Sequence, residues 1–199
     1  MGQQLDAKQE QQMIAQAHQH PEAFRELYRA YFPRVYAYIS YRVVREQDVE
    51  DIVSEVFLRA INRFPQFENR NPGAFAVWLF RIAHNLVQSF YRRKRPLDDQ
   101  LQLEALLNLQ DSMPSNTALL QREQFIYFRR LISTLPPHQQ EVITLRFFGR
   151  LLTREIADIL GLDEASVASY LCRGIEDLYQ KYLNDSIWES QGKSDERAR

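Results

Sequence analysis

A single cysteine, Cys172, in 199 residues excludes a disulfide framework and any Cys-rich zinc site. Six glycines with few turn pairs argue against a many-stranded β protein. No stretch approaches the roughly 18 apolar residues of a membrane span, so no membrane insertion is expected. The segment 1–12 is rich in Gln and charge and has no apolar run of the kind that directs secretion. Neither sign of charge dominates: 25 Lys+Arg against 26 Asp+Glu leave a net of -1, which excludes a globally basic DNA coat but not a locally basic patch. Catalytic signatures are missing too, with no Gly-rich phosphate loop, no Gly-x-Ser-x-Gly and no His-Glu-x-x-His. His84 and His138 are isolated, and no metal or cofactor is expected. What is present is a 45% hydrophobic content, enough for a real core. The class this leaves is a cytoplasmic, all-α chain that is not an enzyme.

Charge is unevenly placed along the chain. Residues 67–95 carry Arg70, Arg81, Arg92, Arg93, Lys94 and Arg95 against Glu68 alone. Residues 96–121 carry Asp98, Asp99, Glu104 and Asp111 and no base. A basic block followed by an acidic one marks a boundary between parts with different partners.

Apolar periodicity gives the same division. From Phe24 to Ile39 the spacing is helical, with a bend or break expected at Pro33. A second helix places Val49, Ile52, Val53, Val56, Phe57, Ala60, Ile61 and Phe64 inward and stops at Pro65. The loop 66–73 follows. A third helix carries Phe75, Trp78, Leu79, Ile82, Ala83, Leu86 and Phe90 inward, runs into the basic cluster and stops at Pro96. Five parts result: a flexible N-terminus over 1–20, a helical domain over 21–95, a flexible acidic linker over 96–121 with a short helix possible around Leu101–Leu109, a second helical domain over 122–183, and a loose tail over 184–199.

Three surfaces carry chemistry. Asp48, Asp51 and Glu55 share one stripe of the second helix, with Glu50 beside them; the plain alternative is a solvated polar face. Arg81, Asn85, Gln88 and Arg92 lie at i, i+4, i+7 and i+11, with Arg93 extending the charge and Phe67 and Phe75 flanking the loop before them. Amides, guanidinium groups and aromatics together suit a partly unpaired nucleic-acid strand, although a basic run also simply suits a helix C-terminus. Finally, Ala157, Gly161 and Val167 stand at the offsets of a helix-turn-helix, whose second helix would present Glu164, Ala165, Ser166, Ser169, Tyr170 and Arg173 to a major groove. Any helical hairpin with a glycine turn shares that pattern.

Taken in order, the runs Asp48–Phe64, Asn71–Pro96 and Leu135–Leu178 resemble the sigma-70 family, in particular its small two-domain extracytoplasmic-function (ECF) group. The resemblance implies a factor that binds core RNA polymerase and directs promoter-specific initiation. Asp48, Glu50, Asp51 and Glu55 would dock on the clamp coiled coil of the β′ subunit, and the second domain on the β flap. Phe67, Asn69, Arg70 and Asn71 would hold a flipped base of the −10 element, and Arg81, Asn85, Gln88, Arg92 and Arg93 would line its strand. Thr153 and Arg154, with the exposed residues of the recognition helix, would contact the −35 element. An anti-sigma partner is possible. The chain departs from the family pattern at Ala168, Tyr170 and Ile175, where basic residues are usual, at Arg150-Leu151-Leu152, which replaces Gly-Leu-Ser and leaves Thr153 as the expected N-cap, and at Ser89, where Asp is common. Two alternatives follow: a helix-turn-helix regulator acting without polymerase, and a sigma-derived interaction protein that has lost promoter reading.

Overall fold

The computed structural model describes the backbone of residues 6–93 and 116–196 and the side chains of 6–93 and 123–185. The described residues form eight α-helices: α1 Ala7–Gln19, α2 Phe24–Arg42, α3 Glu46–Arg63, α4 Ala74–Arg93, α5 Asn116–Ser133, α6 Pro137–Phe147, α7 Thr153–Leu160 and α8 Glu164–Glu196. The expected linker, 96–121, lies outside the described residues up to 115, including its short helix; from Asn116 onward it is the start of α5.

Helices α1–α4 make the first domain. Helix α3 buries Val49, Ile52, Val53, Val56, Phe57 and Ala60 against α2 and α4, as its spacing requires. Ile61 departs from the expectation: it is 48% exposed and stands outside the core next to Leu58, 55% exposed. Pro33 does not break α2, which runs unbroken past it. Its ring is on the exposed side, so the carbonyl it leaves unpaired faces water. From Ala7 to Gln19 the N-terminal segment is a helix rather than a flexible arm. Helix α1 buries Ile14 and Ala17, its Glu10 accepts a hydrogen bond from the buried Tyr31 hydroxyl, and His18 stacks on Phe64. The apolar stripe of α1 is short and set in a Gln-rich background, which masks it in the sequence. The C-terminal tail is likewise helical, as α8 continues to Glu196.

Helices α5–α8 make the second domain, and its core is continuous with that of the first. Val142, Leu145, Leu151, Ile156, Ala157, Ile159 and Val167 belong to the same buried cluster as Phe80, Ile82 and Ala83 of α4. The main contact across the boundary is α7 on α4. Between α6 and α7 the chain passes through Arg150 at φ 53, a left-handed conformation in which the family pattern places glycine.

Candidate nucleic-acid interface

On α3 the acidic stripe is real but unequal. Glu55 is paired with Arg59 at 2.6 Å and Asp48 lies 4.0 Å from Arg45, whereas Glu50 and Asp51 are exposed. Leu58 and Ile61 continue the same surface, so a partner would meet carboxylates at one end and bare apolar groups at the other.

The loop before α4 builds an open cleft of about 560 Å³ whose walls include Asn71, Val77, Trp78, Arg81 and Asp158. Phe67 is among the residues that line this cleft, though little of it is exposed. It is 8% exposed and packs on Trp78 and Phe75, with ring centroids 4.9 and 5.5 Å apart. Most of that ring is taken up by the core beneath the loop, and the half-buried Trp78 adds a second aromatic wall. Arg70 and Glu68 are paired at 2.9 Å on the surface. Asn69 is half-buried and Asn71 exposed.

Helix α4 does not keep the strand-lining residues on one free face. Asn85, Arg92 and Arg93 are exposed, with Arg92 Nη2 donating to Ser89 Oγ at 2.8 Å and Arg93 Nε to the Ser89 carbonyl at 3.2 Å. Arg81 Nη2 instead donates to the Asp158 carbonyl of α7 at 2.6 Å, and Gln88 Nε2 to Glu141 Oε2 of α6 at 3.2 Å.

Glu141 is the centre of a buried polar node that sequence reasoning missed. It is a second-domain residue, yet its partners come from α2 and α4: Arg42 Nη2 at 3.0 Å, the Tyr38 hydroxyl donating at 2.5 Å, and His84 Nδ1 at 3.0 Å. Burial alone would raise the Glu141 carboxyl, but Arg42, His84 and Tyr38 outweigh it and hold the pKa at about 2. Burial and the Glu141 charge push the Tyr38 hydroxyl well above its ordinary range. A carboxyl depressed in the folded chain stabilises it fully above the unfolded value of 4.5 and loses that contribution as pH falls toward 2. The shift corresponds to on the order of 3 kcal/mol. Wild type and Glu141→Gln should therefore differ most in stability above pH 5 and converge as acid unfolding proceeds; parallel curves over the whole range would refute the pairing.

The helix-turn-helix forms as its spacing requires. Gly161 ends α7 at φ 66, the conformation that disfavours a Cβ, and the Leu162 N–H caps the Ala157 carbonyl at 3.0 Å. Ala157 and Val167 are buried where the two helices touch. The N-cap of α7 is Leu152, not Thr153; a leucine side chain has no acceptor, and the Leu152 N–H donates to Glu155 Oε2 at 2.8 Å. Thr153 is half-buried in the first turn and Arg154 exposed. On α8, Glu164, Ala165, Ser169 and Arg173 are exposed. Ser166 is half-buried, its hydroxyl donating to Asp163 at 2.6 Å and its N–H to the same carboxylate at 2.8 Å. Those bonds hold the exposed Asp163 carboxyl below its usual range. Tyr170 is half-buried, its ring stacked on His138 at 5.4 Å. Among the described residues no group of His, Cys, Asp and Glu could hold a metal ion, and no helix is long and apolar enough to cross a membrane.

An acidic helix face, an aromatic-walled cleft beside a basic helix, and a helix-turn-helix make up a two-domain, all-α chain of the kind that meets nucleic acid. Sigma-70 region 2 matches residues 27–96, and Sigma-70, region 4 matches 125–178. The chain is 32% identical over 170 residues to the ECF RNA polymerase sigma-E factor of Escherichia coli, covering 80% of this chain and 86% of that one. It is 31% identical over 165 residues to the ECF RNA polymerase sigma factor BldN of Streptomyces coelicolor, covering 83% of this chain but only 62% of BldN. The fold is shared with CnrH, solved in complex with the cytosolic domain of CnrY, at a TM-score of 0.67 and 24% identity over 91% of this chain and 99% of that one. The chain belongs to the family of ECF RNA polymerase sigma factors.

Proposed function

We propose that the chain binds core RNA polymerase, directs it to one class of promoter and captures the melted −10 strand, working in the cytoplasm where polymerase is. The observation that carries this reading is the juxtaposition on one short domain of the exposed carboxylates of α3 and the Trp78 cleft at the head of α4. Carboxylates and bare apolar groups on α3 suit the β′ clamp coiled coil, and the second domain supplies a site for the β flap. Asn71 and Arg70 at the cleft, with Asn85, Arg92 and Arg93 along α4, suit an unpaired strand, where stacking and hydrogen bonds act only after bases leave the duplex. An anti-sigma protein covering the α3 face would keep the chain from polymerase.

A gel shift on promoter duplex separates this from a conventional regulator. The sigma reading expects weak binding by the chain alone and tight binding once core enzyme is added; equally tight binding without core would overturn it.

For the −35 element, α8 offers Arg173 as the one base among its groove-facing groups, beside Ser169, Ala165 and Glu164. Affinity for duplex should be modest and its salt dependence shallow, since each phosphate contact contributes about one unit of slope. Arg173→Ala is expected to bring activity at a complete promoter down to that of one with its −35 element scrambled. Ser166→Ala should cost only about a hydrogen bond, its hydroxyl being held by Asp163. Transcription from the paired promoters checks both, and an Arg173→Ala chain that still distinguishes them would defeat the assignment.

A further inference from the structure

We infer that Arg150, in the connection between α6 and α7, binds a backbone phosphate of the promoter duplex, supplying from a loop the charge that the recognition helix lacks. The inference rests on the −35 role proposed for the second domain.

The charge of this domain is not where a groove-reading helix would put it. Residues 164–173, the start of α8, carry one acid, Glu164, and one base, Arg173. Residues 146–154 carry Arg146, Arg150 and Arg154 and no acid. Arg150 and Arg154 are exposed, and Arg146 is half-buried. The next carboxylate along the chain, Glu155, is buried and accepts the Leu152 N–H at 2.8 Å. In a helix-turn-helix the first helix crosses the phosphate backbone while the second enters the groove. Helix α7 is that first helix, so the connection leading into it meets phosphates rather than base edges.

The connection is built to hold Arg150 in one place. On one side the Gly149 N–H donates to the Thr144 carbonyl at 3.0 Å, and the Gly149 carbonyl accepts from Arg34 Nε and Nη2 at 2.9 and 2.7 Å. On the other side Leu151 is fully buried, its N–H donates to the Leu145 carbonyl at 3.2 Å, and its carbonyl accepts from Arg146 Nη1 at 2.9 Å. Between these two pinned residues Arg150 takes φ 53. Glycine adopts that conformation freely, whereas an arginine is strained in it. A side chain held in a strained, over-determined backbone points to a function for the side chain rather than to a gain in stability. Fixing the direction in which the side chain leaves the surface also lowers the ordering cost of a contact. Arg146 is spent on the loop itself, which leaves Arg150 and Arg154 to face the duplex.

The test measures binding of promoter duplex by reconstituted holoenzyme, the full chain plus core polymerase, in the cold so that the duplex stays closed. Salt is varied on two templates, one with its −35 element intact and one with it scrambled. Arg150→Gly should bind both about tenfold more weakly than wild type at about 0.1 M salt, with a salt slope shallower by about one unit, as expected for one lost phosphate contact. Its preference for the intact template should equal that of wild type. The melting temperature of the free Arg150→Gly chain should be at or above wild type, since glycine takes φ 53 without strain. Arg150→Lys should keep the wild-type slope. Four results would overturn the inference: a wild-type slope in Arg150→Gly, a changed template preference in Arg150→Gly, a glycine-like slope in Arg150→Lys, or a lowered melting temperature in Arg150→Gly, which would show that the arginine is kept for the fold. A wild-type holoenzyme that binds both templates equally would remove the −35 reading and this inference with it, a result distinct from the other four.

Discussion

Holoenzymes carrying Asn85→Ala or Arg92→Ala are expected to open promoters about 10- to 100-fold less well than wild type, with polymerase affinity within about twofold. Both residues are on the exposed side of α4, downstream of the Trp78 cleft. Neither contributes to the core, so truncation should leave the first domain folded. Contacts to an unpaired base are worth about 1–3 kcal/mol each, and 1.36 kcal/mol is a factor of ten, which gives the range. Arg92 donates to Ser89 in the free chain, so part of its effect depends on exchanging that bond for one to the strand. Permanganate reactivity of the −10 region reads opening directly. Unchanged footprints in both variants would remove α4 from strand capture.

The second large effect concerns polymerase. Asp51→Arg should weaken binding to core enzyme by about tenfold or more, because a charge reversal at an interface places like charges together. Asp51 is exposed on a helix whose other face is core, so folding should be unaffected. Glu55→Arg should act less strongly, since Glu55 is already held by Arg59 at 2.6 Å and its carboxylate is in part neutralised before any partner arrives. Recovery of core polymerase in pull-down at wild-type level by the Asp51→Arg chain would show that α3 docks elsewhere.

Much of the fold is legible because long helices with strict apolar spacing have few alternatives. The inward positions of α3 were all readable except Ile61, which the period places at the edge of the buried stripe and which the structure leaves outside. The helix-turn-helix was readable because three small or branched residues at fixed offsets each have one steric role. The turn into α8 is less so: Asp163 takes both the N–H and the hydroxyl of Ser166, so a residue read as groove-facing is also a capping partner. The orientation of Phe67 is less legible for a related reason. A single aromatic in a loop has no period to show its direction, and it turns inward onto Trp78 and Phe75.

The domain boundary was legible from charge, but the contact across it was not. Arg34 and Gly149 are 115 residues apart, Tyr38 and Glu141 103 apart, and Arg81 and Asp158 77 apart. Arg34, Arg81, Glu141 and Asp158 each read alone as an ordinary surface group of an amphipathic helix. The packing of α6 on α2 and of α7 on α4 brings them together and turns Glu141 into a buried charge.

The central claim is that this chain gives core polymerase its promoter choice. The most direct measurement is transcription in vitro on fragmented genomic DNA of the source organism, with core enzyme alone and with core plus the chain, followed by sequencing of RNA 5′ ends. The account predicts a small set of new start sites that share upstream sequence at the −10 position, more strictly than at the −35, and that disappear with Asp51→Arg. A set of 5′ ends identical with and without the chain, from a polymerase preparation shown to carry it, would contradict the account.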